Sequence, residues 1–356
     1  MSPRYPFQPD YSLPPGETLR SRIEAIDLSQ AELAMRSGLS TKHVNQIIKG
    51  LAPITHETAL TLERVTGTPA SIWNKLEARY RENLLRRVDV SQEDRSWLGR
   101  LPLKELRRRH LITTSTDITE LFNGVLTFFG VADRPAWENL WLKPSRSFRR
   151  ATTFETSPEA VATWVRIGEL EAREIDTQPY DVATFRIALQ EIRSQTRQPD
   201  FDHVVQLCAD AGVGLVFVPE VEKCRISGAA WWASSTRAVI ALSDRYKAND
   251  RFWFTLFHES GHLLLHSKKE TFVDYDGDDG DLESEADRFA SDLLIPPDAA
   301  RRLPELSTER DVKRFAEEIG IADGIVVGRL QYLRLWDWSK GNGLKRRVRI
   351  VSALKE

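Results

Sequence analysis

Apolar and polar positions divide the chain into stretches of different period. From residue 18 to about 88, apolar positions recur at helical spacing in short blocks. Ser29, Ser40 and His56 stand at predicted helix starts, and Gly38, Gly50 and Gly67 at predicted stops. A longer helix follows Pro69 and runs through SIWNKLEARYRENLLRR. Residues 89–200 continue in helical period, with the basic run KELRRRH, the apolar DITELFNGVLTFFG and the stretch SPEAVATWVRIGELEAREI. The period changes near residue 201. The helical FDHVVQLCADAG gives way to VGLVFV, ISGAAWWA and AVIALS, short runs rich in β-branched and aromatic residues that predict a sheet of about three strands. ISGAAWWA, with its small residues, is expected beside a sheet edge, where an extended peptide can add by main-chain hydrogen bonds. An apolar helix follows, capped by Asn249 or Asp250, then an acidic loop, FVDYDGDDGD, and a helix, LESEADRFASDLL, ended by Pro296 and Pro297. The pattern predicts an all-α domain over 1–88, a helical middle region over 89–200, an α+β domain over 201–302 and a helical tail over 303–356.

Within the apolar helix, FTLFHESGHLLLH spans residues 254–266. Phe254, Leu256, Phe257, Leu263, Leu264 and Leu265 cover most of its circumference, which predicts burial on all sides. His258, Glu259 and His262 are costly in such a place unless something compensates their polarity. Residues 258–262 spell H-E-x-x-H. Histidines at i and i+4 stand about 40° apart around a helix and ~6 Å apart along it, so both imidazoles can reach one cation. Neutral imidazole suits zinc, and Glu259, about 100° around, can address a water activated by the metal.

A catalytic zinc needs a third protein ligand and an open position. His266 lies about 12 Å along the helix from His258, too far to share a metal with it, and is expected to pack or to support the ligands. Glu283 and Asp287 are i and i+4 on the next helix, whereas Glu285 points about 160° away from Glu283. Glu283 is therefore expected to ligate, and Asp287 to accept the free N–H of His258 and fix its tautomer. Gly261, inside a helix, suggests a close approach by another element or a substrate.

Composition narrows the rest. The 356 residues are too many for one ordinary core, and 41% hydrophobic with 29% charged residues describes a globular chain. No apolar run approaches the ~20 residues needed to span a membrane, and no secretion signal is visible, so a cytoplasmic protein is expected. The two cysteines, Cys208 and Cys224, form no disulfide framework and are expected as small buried hydrophobes.

Residues 29–50, SQAELAMRSGLSTKHVNQIIKG, read as two helices capped by Ser29 and Ser40. Leu33, Ala34, Leu39, Val44, Ile47 and Ile48 take inward positions, and the small Ala34 permits a close crossing. The outward face of the second helix, with its cap, shows Ser40, Thr41, Lys42, His43, Asn45, Gln46 and Lys49, groups suited to base edges and phosphates. This is a helix-turn-helix pattern, with the second helix expected in the major groove of double-stranded DNA. Residues 1–90 hold 12 Lys and Arg against 10 Asp and Glu, too weak an excess for tight non-specific binding.

Two resemblances extend these readings. FTLFHESGHLLLH with ESEADRFASDLLIP, preceded by ISGAAWW and IALSDRYKANDRFWF, resembles the ImmA/IrrE family of zinc metallopeptidases over roughly residues 200–300. The resemblance implies a gluzincin-like site: His258, His262 and Glu283 on Zn2+, Glu259 as general base, and a transcriptional repressor as protein substrate. It leaves the oxyanion-stabilising residue open among Tyr246, His266 and Tyr275. PGETLRSRIEAIDLSQAELAMRSGLSTKHVNQIIKG with ITHETALTLERVTGTPASIWNKLEARYREN resembles the HigA-type antitoxins of the Xre helix-turn-helix family. That implies a homodimer on an operator, autorepression and a toxin partner. The expected fold is multi-domain: an all-α helix-turn-helix domain, a helical middle region and an α+β zinc-peptidase domain. The expected function is a DNA-binding transcriptional regulator with a zinc-dependent endopeptidase that cleaves a regulatory protein. The alternative is an antitoxin and autorepressor whose metal site is structural or sensory.

Overall fold

The computed structural model describes residues 14–86, 89–142, 156–245, 247–266, 272–275 and 280–348. The chain divides into two compact units, Met1–Val90 and Ser91–Glu356.

The first unit is all-helical: α1 (Pro15–Glu24), α2 (Gln30–Ser37), α3 (Thr41–Ile48), α4 (His56–Thr66) and α5 (Ala70–Arg86). Local chemistry sets the boundaries. The Ser29, Ser40 and Thr55 hydroxyls accept the third amides of α2, α3 and α4, and Gly38 and Gly67 close α2 and α4 in the left-handed conformation. Leu19, Leu33, Val44, Ile47, Leu62 and Trp73 fill one core. Arg22 on α1 donates two hydrogen bonds to the Thr66 carbonyl, holding the end of α4.

The second unit opens with α6 (Gln92–Arg100), α7 (Leu103–Arg108), α8 (Ile118–Phe129) and α9 (Arg134–Trp141). Trp97, Phe122, Phe129, Trp137 and Trp141 pack there edge-on and tilted in one buried aromatic cluster. Then come α10 (Pro158–Arg173), α11 (Val182–Gln195), α12 (Phe201–Asp210), β1 (Val213–Phe217), β2 (Ile226–Ser234), β3 (Arg237–Leu242), α13 (Asn249–Leu265), β4 (Phe272–Tyr275), α14 (Asp281–Leu294), α15 (Pro297–Ala300), α16 (Glu309–Ile319) and α17 (Asp323–Tyr332). The sheet order is β1-β3-β2-β4, with β1 parallel to β3 and the other pairs antiparallel. Ala238, Ile240 and Leu242 of β3 share a core with α11, α12 and α13, while Ala241 faces Gly168 of α10. Helices therefore cover both faces. Val312, Phe315, Val326 and Leu330 of α16 and α17 enter the same core as Leu256 and Phe257 of α13.

Three expectations change. The sheet gains a fourth strand, because the first four residues of the acidic FVDYDGDDGD segment pair with β2. β2 consequently lies inside the sheet and not at its edge. Asn249 and Asp250 do not cap α13; both fall inside its first turn, behind Ala248, and face inward. Asn249 accepts from the Arg346 amide, and Asp250 pairs with Lys345 at 2.6 Å, so these residues fasten a distant segment in place of closing a helix end.

Candidate metal centre and nucleic-acid interface

Helices α13 and α14 cross where Gly261 meets Ala286. A Cβ on Gly261 would lie 3.2 Å from the Ala286 Cα, so the missing side chain sets the approach. The crossing lays Glu283 and Asp287, one turn apart on α14, over His258 and His262 of α13. His258 Nε2 stands 3.0 Å from Glu283 Oε2 and 3.0 Å from His262 Nε2, and His262 Nε2 stands 3.2 Å from the same Glu283 oxygen. On its other side, His258 Nδ1 lies 2.9 Å from Asp287 Oδ1.

The donor set fits a cation. Asp287, as a carboxylate, only accepts, so His258 carries its proton on Nδ1 and turns a lone pair from Nε2 toward the cluster. The Glu283 oxygen, also an acceptor, faces that lone pair. Two acceptors at 3.0 Å repel unless a proton or cation lies between them. A tetrahedral ion with bonds of about 2.0–2.1 Å separates its ligands by ~3.3 Å, close to the three spacings found here. His258, His262 and Glu283 are the group able to hold a metal among the described residues.

Charge states agree. Burial raises the Glu283 carboxyl, but where no metal stands between them a proton shared with His258 and His262 outweighs it and holds the pKa at about 2, so Glu283 is a carboxylate at pH 7. Burial lowers His262 below its ordinary 6.5, outweighing the pull of Glu283, so a neutral ring faces the cluster at pH 7. Cys208 and Cys224 are fully buried, and burial pushes both thiols up, so neither offers a thiolate.

Glu259 is wholly enclosed, at 0% exposure. Its carboxylate lies against Gly228 of β2, where a Cβ would stand 2.7 Å from Oε1. His266 does not join the cluster: its Nδ1 touches His262 Nδ1 at 2.9 Å, on the face of that ring turned away from Glu283. Glu285, off the Glu283 face as the helical phase predicts, stands 3.3 Å from His266 Nε2. The sequence held that contact only as an i+19 pairing between two helices, which no spacing rule marks. Of the residues considered for the oxyanion, Tyr246 lies outside the described residues, and Tyr275 ends β4.

In the first unit, Val44, Ile47 and Ile48 anchor α3, while Thr41, Lys42, Asn45 and Lys49 are exposed and His43 and Gln46 half-buried. Ser40 is committed as a cap, its hydroxyl accepting from the His43 amide at 3.1 Å. Gly16 of α1 lets that helix reach the C-terminal end of α3, since a Cβ there would overlap the Ile47 carbonyl and Ile48 Cα.

Residues 211–331 match the family described as the IrrE N-terminal-like domain, Peptidase_M78, and residues 19–73 match the family described as helix-turn-helix. Among solved structures, an addiction module antidote protein of a HigA family from Coxiella burnetii is similar at 31% identity. The match covers 20% of this chain and 80% of that one, with a TM-score of 0.20. No curated protein matches the chain.

Proposed function

We propose that this chain, which joins a helix-turn-helix DNA-binding domain to an IrrE-like peptidase domain, is a transcriptional regulator that hydrolyses a peptide bond in a regulatory protein. The observation that carries the reading is the convergence of His258 Nε2, His262 Nε2 and Glu283 Oε2 one residue from a buried glutamate on the same helix. Zinc held by those three atoms would polarise the scissile carbonyl and lower the pKa of a water. Glu259 then takes the proton of the attacking water and delivers it to the leaving amine. Asp287 holds His258 in the tautomer that presents Nε2. The substrate is a repressor or a toxin–antitoxin partner, cleaved in the cytoplasm. No described helix is long and apolar enough to cross a membrane. A homodimer places two copies of α3 on operator DNA, with Thr41, Lys42, His43, Asn45, Gln46 and Lys49 toward the groove.

A second reading, an antitoxin and autorepressor whose metal site is structural or sensory, draws on the complete enclosure of Glu259. One experiment separates the two. Purified wild type and Glu259→Gln are loaded with zinc and incubated with the products of genes adjacent to its own. The peptidase reading expects cleavage by wild type only, with zinc retained by both. Equal regulatory phenotypes in wild-type and Glu259→Gln strains would favour the sensory reading.

A further inference from the structure

Neither His266 nor Glu285 has a part in the centre as described, yet the two form a continuous line to it. We infer that Glu285 and His266 are a positioning relay that selects the metal-competent tautomer of His262, as Asp287 does directly for His258. The inference rests on His258, His262 and Glu283 being the metal-holding group.

His266 is fixed from both ends. It is the C-cap of α13, with extended backbone, and its amide donates to the His262 carbonyl at 3.2 Å. Its ring returns against His262, with centroids 5.0 Å apart, and its side chain is 2% exposed. A buried ring held this way has little freedom to change partners.

The proton assignment follows from one end of the line. Of two imidazole nitrogens 2.9 Å apart, one donates and the other accepts. Glu285, a carboxylate, only accepts, so the His266 nitrogen facing it at 3.3 Å, Nε2, carries that ring's proton. With its proton on Nε2, His266 turns the Nδ1 lone pair to His262 and accepts from it. His262 is thereby held with its proton on Nδ1 and a lone pair on Nε2, the atom that faces His258 and Glu283. Without Glu285, His266 is free to reverse: its Nδ1–H donates to His262, whose own proton moves to Nε2 and stands where the metal must bind. Glu285 is exposed, so its hold is weaker than that of the buried His266.

The test is metal affinity of the full chain, read by zinc competition with a chelator and by the visible absorption of bound Co2+, with folding checked by circular dichroism. His266→Phe keeps the ring volume and removes the acceptor; it is expected to weaken zinc binding about tenfold and to alter the cobalt spectrum, as changes to the partners of ligating histidines do. Glu285→Ala, on the surface and harmless to the core, is expected to weaken zinc a few-fold at unchanged stoichiometry. His266→Gln, whose amide oxygen can accept from His262 Nδ1–H, should restore most of the affinity and the wild-type spectrum. The double variant should be no weaker than His266→Phe alone. Wild-type affinity in Glu285→Ala, together with equal binding by the Phe and Gln variants, would overturn the relay and leave the metal centre standing. A wild-type chain that binds neither Zn2+ nor Co2+ would remove both.

Discussion

Gly228 decides how near the sheet can come to the helix that carries Glu259 and the proposed metal ligands. A Cβ at this position would stand 2.6 Å from Thr255 Cγ2 and 2.7 Å from Glu259 Oε1, and only the second of those atoms ends a flexible side chain. Gly228→Ala should therefore displace the Glu259 carboxylate while leaving His258, His262 and Glu283 in place. The expected result is strongly reduced cleavage with full zinc stoichiometry, at an overpacking cost of about 1–3 kcal/mol. Undiminished turnover in this variant would show that Glu259 is not the base, or that the strand yields more readily than its buried position suggests. The sequence marked Gly228 only as one of the small residues of ISGAAWWA and not as a neighbour of Glu259, because the glycine answers a side chain on another element. His258, Glu259 and His262 were legible for the opposite reason: they sit on one helix, where spacing alone fixes their relative direction.

At the scale of elements, one helix crossing sets the geometry of the candidate metal centre. The Gly261–Ala286 crossing brings Glu283 to the histidines, and the phase of α14 could be read from the i, i+4 relation of Glu283 and Asp287. Strand β4 was hidden because Asp274 interrupts a short apolar run that opens an acidic segment. Asn249 and Asp250 misled because their side chains suit a cap, and only the fold reveals partners almost a hundred positions away. In the first unit, α3 presents a polar face to solvent while Val44, Ile47 and Ile48 hold it to the core. Gln46→Ala, at a proposed base contact, should cost about 1–3 kcal/mol of operator binding and relax specificity. Lys49→Ala, at a proposed phosphate contact, should weaken all sequences alike and reduce the salt slope. Both are measured by titrating operator and scrambled DNA at several salt concentrations. A Gln46→Ala protein that discriminates as well as wild type would take that residue out of the base-reading face.

For the molecule as a whole, the metal-free second unit carries a pH liability whose sign is set by two groups. Burial holds His262 below its ordinary 6.5, so as pH falls past that value the unfolded chain gains a proton that the folded one refuses. Glu283 behaves alike further down: its contribution is complete above the ordinary 4.5 and is lost as pH falls toward about 2. Chelated protein should thus be most stable above about 6.5 and lose melting temperature in two steps on acidification. His262→Gln should abolish the upper step. A flat profile between pH 7 and 5 in chelator would contradict the placement of a neutral, buried His262. The fastening of Asp250 and Asn249 to Lys345 and Arg346 has a consequence in time. The helix that carries His258 and His262 begins with a buried carboxylate, Asp250, whose cationic partner is translated long after it. Until that partner leaves the ribosome, the charge has no permanent mate, and the helix has reason to stay loose. The helix-turn-helix unit holds all its core residues within the first ninety positions and is under no such delay. A nascent chain can therefore present a folded helix-turn-helix unit before the peptidase-like unit is complete.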